Sequence, residues 1–124
     1  MIWLAVALGG AIGSVARHAL SSSLRTLVPG FPVGTLIVNV AGGLAMGAIT
    51  AWALARPAAL SDTLRLGLTT GVLGGFTTFS AFSIETLLLW RDGNASVALA
   101  NVAANLVLSL AACALGFWLA RSLG

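Results

Sequence analysis

The chain has 124 residues, 59% of them hydrophobic and only 7% charged, with a formal net charge of +3 and a mean hydropathy of +1.05. A soluble domain of this size devotes about 25% of its residues to charge, so lipid must cover most of this surface and a soluble globule is excluded. The basic balance does not point to nucleic acid, because the six basic residues are all arginines scattered one at a time rather than clustered in a patch. One histidine, one cysteine and three acids form no catalytic constellation, so the chain is not read as an enzyme.

A membrane-crossing helix needs about 20 mainly apolar residues, and the sequence offers four such stretches. The first runs from about Ile2 to Leu20. It lacks the positive n-region of a secretory signal and is expected to stay in the mature protein. Pro29-Gly30-Phe31-Pro32 then breaks helix firmly. The second runs from about Val33 to Ala55 and stops at Arg56-Pro57. The third runs from about Thr63 to Trp90 and closes at Arg91-Asp92-Gly93-Asn94, a turn signal. The fourth runs from about Ala95 to Ala120. Trp3, Trp52, Trp90 and Trp118 each fall near a segment end, as an interfacial aromatic belt requires. The linkers are short, so residues 1–124 read as one transmembrane domain in the cell (inner) membrane. Cys113 lies within the last segment and reads as a small buried side chain.

The third segment is long for a simple crossing: about 28 residues make roughly 42 Å of helix, against a hydrocarbon core about 30 Å thick. Gly74-Gly75 followed by Thr77-Thr78 offers a break in the helix, expected near the glycine pair. Irregular backbone survives at that depth only when buried in protein or lining a cavity, where its carbonyls can hold a cation.

Polar residues fall on helical faces. Thr35, Asn39, Gly43 and Gly47 recur every four residues in the second segment, and Asn101, Asn105, Ser109 and Cys113 do so in the fourth. Small residues at this spacing let helices approach, and amides join them by hydrogen bonds. A continuous stripe of amides and a hydroxyl also reads as a track along which something hydrogen-bonds its way. Gly9, Gly13 and Arg17 repeat the spacing in the first segment. In the third, Phe76, Phe79 and Phe82 recur every three residues with Ser80 and Ser83 between them. A phenyl ring has a positive edge, so rings presented edge-on attract a small anion without a full opposite charge, and weak binding suits throughput. Glu85 is the one acid well inside a segment, with pairing to an arginine, capping of polar groups and proton coupling all open. His18, beside Arg17, reads as interfacial.

The arginines give almost no preferred orientation. Arg56, Arg65 and Arg121 lie on one membrane face, Arg25 and Arg91 on the other with Arg17 nearby, so the positive-inside bias nearly vanishes. A chain that inserts both ways and pairs with its inverted copy needs no such bias.

Three strings, Gly9-Gly10-x-x-Gly13-x-x-x-Arg17, Gly34-Thr35-Leu36-x-Val38-Asn39-x-x-Gly42 and Gly71-x-x-Gly74-Gly75-x-Thr77-Thr78-Phe79-Ser80-x-Phe82-Ser83, together resemble the Fluc (CrcB) family of fluoride ion channels over nearly the whole chain. The resemblance implies an all-α integral membrane fold, an antiparallel dual-topology homodimer and two fluoride pores built by both copies. It implies that Phe79 and Phe82 face fluoride, with Asn39, Thr35, Ser80, Asn101, Asn105 and Ser109 along the pathway. It further implies a structural Na+ held by the backbone carbonyls of Gly74 and Thr77, and structural roles for Arg17, Gly43 and Gly47. Asn101 and Asn105 stand where some members have a tyrosine and a serine, so the track keeps its polarity with different chemistry. The expected function is passive export of fluoride, which enters as neutral hydrogen fluoride and ionises in the cytoplasm. Two alternatives remain. A proton-coupled exporter resembling the small multidrug-resistance proteins needs an acid in the first helix, and that segment has none. A non-transporting assembly subunit follows if the polar stripes only join helices.

Overall fold

A computed structural model describes residues 1–123 and is helical throughout. Helix α1 spans Ile2–Ser23 and α2 spans Val33–Ala55. The third segment comprises α3 (Asp62–Leu66), a π-helical stretch (Gly67–Leu73), α4 (Gly74–Phe76) and α5 (Phe79–Arg91), and α6 spans Ala95–Leu123. Four helices, the third taken from Asp62 to Arg91, are long and apolar enough to cross a membrane. Each start and stop has a local cause. Pro32 precedes α2 and cannot continue a helix from the linker. Ser61 opens α3 by accepting a hydrogen bond from the Leu64 N–H at 3.2 Å, one of the orphan donors of a helix start. Gly93, at φ +85°, takes the left-handed turn between α5 and α6 that side chains resist.

The glycine pair of the third segment is not where the backbone changes course. Leu73 and Gly74 have right-handed helical dihedrals and the helix continues to Phe76. Thr77 (φ −79°, ψ 155°) and Thr78 (φ −150°, ψ 115°) are the extended residues. Gly75 instead serves packing, since a Cβ there would lie 2.6 Å from the Gly10 carbonyl oxygen of α1.

Two close helix pairs organise the chain. α2 packs most extensively on α6, and α1 packs on the π-helical stretch and α4. In the first pair the backbones nearly touch: a Cβ on Gly43 would lie 2.9 Å from the Ser109 carbonyl oxygen, and one on Gly47 would overlap the Cys113 carbonyl and lie 2.9 Å from the Phe117 nitrogen. Between helices in lipid there is no hydrophobic drive, so such backbone approach is a main source of cohesion. The interior mixes polar and apolar side chains. Thr35, Thr78, Asn101 and Asn105 are buried beside Val38, Ala51, Leu73, Phe82 and Ala98, while many large apolar side chains face outward. Trp3, Trp90 and Trp118 are among those exposed, and the Arg56 guanidinium lies 5.9 Å from the Trp52 ring centre.

The α2–α6 approach predicts that Gly47→Ala costs about 1–3 kcal/mol through overpacking, and lowers the thermal midpoint of detergent-solubilised protein. Gly10→Ala, where a Cβ meets nothing within 4 Å, should stay within about 0.5 kcal/mol of the parent. Equal midpoints for both variants would contradict this packing account.

Candidate functional site

The extended pair Thr77–Thr78 would leave peptide groups unpaired where water is scarce, each at a cost of several kcal/mol in hydrocarbon. Asn39 on α2 satisfies one residue of it at both ends. Its Oδ1 accepts the Thr78 N–H at 2.8 Å and its Nδ2 donates to the Thr78 carbonyl at 3.0 Å. Arg17 on α1 reaches the neighbouring carbonyl, with Nη1 3.3 Å from Thr77 O. The Thr77 hydroxyl bonds back to Leu73 O at 3.0 Å. Thr78 then opens α5 by accepting the Ala81 N–H on its own hydroxyl at 3.1 Å. α5 therefore starts at a fixed place and carries Phe79 and Phe82 in its first turn. Their ring centres lie 5.1 Å apart with planes at 61°, an edge-to-face pair.

Two clefts flank this turn and share Thr78. The smaller, about 350 Å³, is lined by Asn39, Thr78, Phe79, Phe82, Asn105 and Ser109 among others. It contains no charged side chain, and Ser109, among its lining residues, has its Oγ buried without a protein partner. Phe82 is buried, whereas Phe79 is 72% exposed in the single chain, so one side of this cleft is open. The larger cleft, about 910 Å³, has Thr35, Ser80 and Glu85 near Thr78 and Arg17, His18 and Arg25 on its walls. It is the more polar of the two.

Glu85 forms no salt bridge among the described residues, although Arg25 lines the same cleft. Its Oε1 accepts a 2.7 Å hydrogen bond from the Thr35 hydroxyl, and its Oε2 is buried without a protein partner. Both ion pairs among the described residues, Arg65–Asp62 at 3.0 Å and Arg91–Asp92 at 2.8 Å, lie at helix ends with exposed side chains, where such pairs contribute little.

The structure thus brings Asn39, Phe79, Phe82, Asn105 and Ser109 to one cleft and Thr35 and Ser80 to the other. Asn101 lines neither, being fully buried behind Asn105. Arg17 meets the Thr77 carbonyl, and Gly43 and Gly47 lie in the α2–α6 contact. Sequence reading missed Thr78 as the shared border and Thr86 as a polar contact. Thr86 stands four residues after Phe82, on the same helical face, a spacing that could have found it.

A sequence model of the CrcB-like protein, Camphor Resistance (CrcB) family matches residues 4–117. A protein of Chelativorans sp. (strain BNC1) named fluoride-specific ion channel FluC is 51% identical over 119 residues, covering 95% of this chain and 94% of the relative. Proteins of the same name from Paracoccus denitrificans (strain Pd 1222) and Hyphomonas neptunium (strain ATCC 15444) are 49% and 45% identical, covering 98% and 96% of this chain and 95% and 94% of their own. On these matches the chain belongs to the CrcB-like protein family.

Proposed function

We propose that this chain is a fluoride-selective ion channel that lets cytoplasmic fluoride leave the cell passively across the (inner) membrane. The observation that carries the reading is the Phe79–Phe82 edge-to-face pair beside an uncharged cleft, in a chain whose relatives are named fluoride-specific ion channels. Ring hydrogens carry partial positive charge and offer a small anion a weak, desolvated site. An arginine there would bind fluoride too firmly for release. The arginines instead stand in the wider cleft, together with the acids Glu85 and Asp92, so charge of both signs is kept away from the rings. Thr35 and Ser80 provide hydroxyls in that wider cleft, and Ser109 stands among the lining residues of the ring-bearing one. Asn39 and Asn105 complete the polar wall, with Asn101 behind them. No covalent step is involved, and the protein is not an enzyme.

The pore is proposed to need a second copy in inverted orientation. Phe79 is largely exposed and the cleft stands open on that side, so a facing subunit is required to enclose an ion. Two inverted copies give two such clefts, hence two pores. The near-equal arginine count on the two faces supports insertion in both directions.

The third segment is proposed to act as a broken helix whose carbonyls hold a structural Na+ between the copies. The residues fit such an ion. The Thr78 N–H that would close a helical turn on Gly74 O is taken by Asn39, which leaves that oxygen available. Thr77 O, shared with Arg17, keeps a second lone pair. Neutral carbonyls of an unwound stretch are donors suited to Na+. Because Arg17 draws on one of them, the site should need carbonyls from both copies.

Purified protein in liposomes is expected to release fluoride rapidly, release little chloride and ignore an imposed proton gradient, as read with a fluoride electrode. Retained fluoride would sink the channel reading, and proton-dependent release would favour an exporter. Phe79→Ile and Phe82→Ile should each slow release about tenfold, equivalent to the roughly 1.4 kcal/mol an aromatic contact supplies, with the dimer intact by size exclusion. Loss of the dimer would make the rings packing residues instead.

The topology has its own check. A cysteine appended to the C-terminus of a Cys113→Ala background should be labelled from outside on about half the chains of intact cells, as opposite orientations require. One-sided labelling contradicts the antiparallel pair. Replacing Na+ by N-methylglucamine on both sides should suppress release, with recovery when Na+ returns. Undiminished release would remove Na+ from the account.

A further inference from the structure

A chain of hydrogen bonds begins and ends on the turn that carries the two phenyl rings. The Thr78 N–H donates to Asn39 Oδ1 at 2.8 Å, and Asn39 Nδ2 donates to Asn105 Oδ1 at 3.0 Å. Asn105 Nδ2 donates to Asn101 Oδ1 at 2.9 Å and to Asn101 O at 3.0 Å. Asn101 Nδ2 donates to Thr86 Oγ1 at 2.9 Å, and the Thr86 hydroxyl donates to Phe82 O at 2.8 Å. The relay leaves the third segment at Thr78, crosses α2 and α6, and returns at Phe82.

Its direction is forced rather than chosen. A backbone N–H can only donate, so Asn39 must turn its oxygen to Thr78 and its nitrogen to Asn105. Asn105 must then present oxygen to Asn39, which aims its nitrogen at the two Asn101 oxygens. The Phe82 carbonyl can only accept, so the Thr86 hydroxyl must donate there and accept from Asn101. Every joint agrees. Both hydrogens of Asn39 Nδ2 go to Thr78 O and Asn105 Oδ1, and both of Asn105 Nδ2 go to Asn101. Neither amide has a spare donor for a passing anion.

We propose that Asn101, Asn105 and Thr86 are positioning residues that fix the Phe79–Phe82 ring pair by tying Phe82 O on α5 to Asn39 and Thr78. This rests on the channel reading and deepens it: the amides shape the ion's wall from behind, and the ion meets ring edges. Asn101 is fully buried. Neither it nor Thr86 lines the ring-bearing cleft, so changing them leaves the cleft's own surface chemistry untouched. In a low-dielectric interior such a relay is fully effective only when every member is paired, and cutting one joint should loosen all.

Thr86 allows a clean cut. Thr86→Val keeps the shape and removes the hydroxyl, whereas Thr86→Ser keeps the hydroxyl. Fluoride release from liposomes and the fluorine NMR signal of 4-fluorophenylalanine placed at position 82 report rate and ring environment separately. Thr86→Val is expected to slow release by about five- to tenfold, the effect of one lost buried hydrogen bond. The residue-82 signal should shift or broaden while the dimer persists by size exclusion. Thr86→Ser should match the parent in both. Asn101→Leu, the second variant, should repeat the valine result and decides the matter if valine does not assemble. Parent-like release and signal in the cut variants would overturn the proposal. So would a serine variant as impaired as valine, or failure of both cut variants to assemble while serine does. Parent protein that releases no fluoride defeats the channel reading instead and leaves the NMR comparison to judge the relay.

Discussion

The rest of the structure depends on what Asn39 does for Thr78. Two consecutive extended residues inside an apolar segment leave peptide groups that lipid cannot satisfy. A single carboxamide supplies a donor and an acceptor at the right separation to take both groups of Thr78. Once Thr78 is held, its hydroxyl caps α5, and the first turn of α5 puts Phe79 and Phe82 edge-to-face. The close α2–α6 contact at Gly43 and Gly47 brings Asn39 and Asn105 within hydrogen-bonding reach. Small residues, an amide and two rings are thus one device spread over three segments.

This arrangement separates charge from the ring pair. Charge of both signs is kept in the wider cleft, where Arg17, His18 and Arg25 share the lining with Glu85 and Asp92, and the ring-bearing cleft has none. In the proposed channel the rings pass fluoride on, because an edge-on ring replaces hydration without matching a full charge. A mixed polar and apolar interior inside a largely apolar periphery departs from the pattern of soluble proteins, as expected where lipid is the outer solvent.

Much of this was legible in the sequence. The starts of α2 and α6 fall at the expected Val33 and Ala95, because proline and turn residues punctuate the chain. Steps of four residues placed Asn39, Gly43, Asn105 and Ser109 on their faces, and a three-residue step paired Phe79 with Phe82. What periodicity could not give was which groups meet. Gly74-Gly75 reads as a weak point, yet Gly75 lies against α1 and the extended residues Thr77 and Thr78 follow the pair. Glu85 offers no sequence clue that its partner is the Thr35 hydroxyl, 50 residues away. Helical spacing put Asn101 in line with Asn105 but not its link to Thr86, a contact that depends on how α5 and α6 cross.

The central claim is that phenyl edges and hydroxyls, rather than a protonatable carrier, select the ion. A planar bilayer containing the purified protein, with unequal fluoride on the two sides and an opposing chloride gradient, tests this most directly through its reversal potential. The account predicts a reversal close to the fluoride equilibrium potential and unmoved by a pH difference. A reversal set by chloride, or one that follows the pH difference, would contradict it.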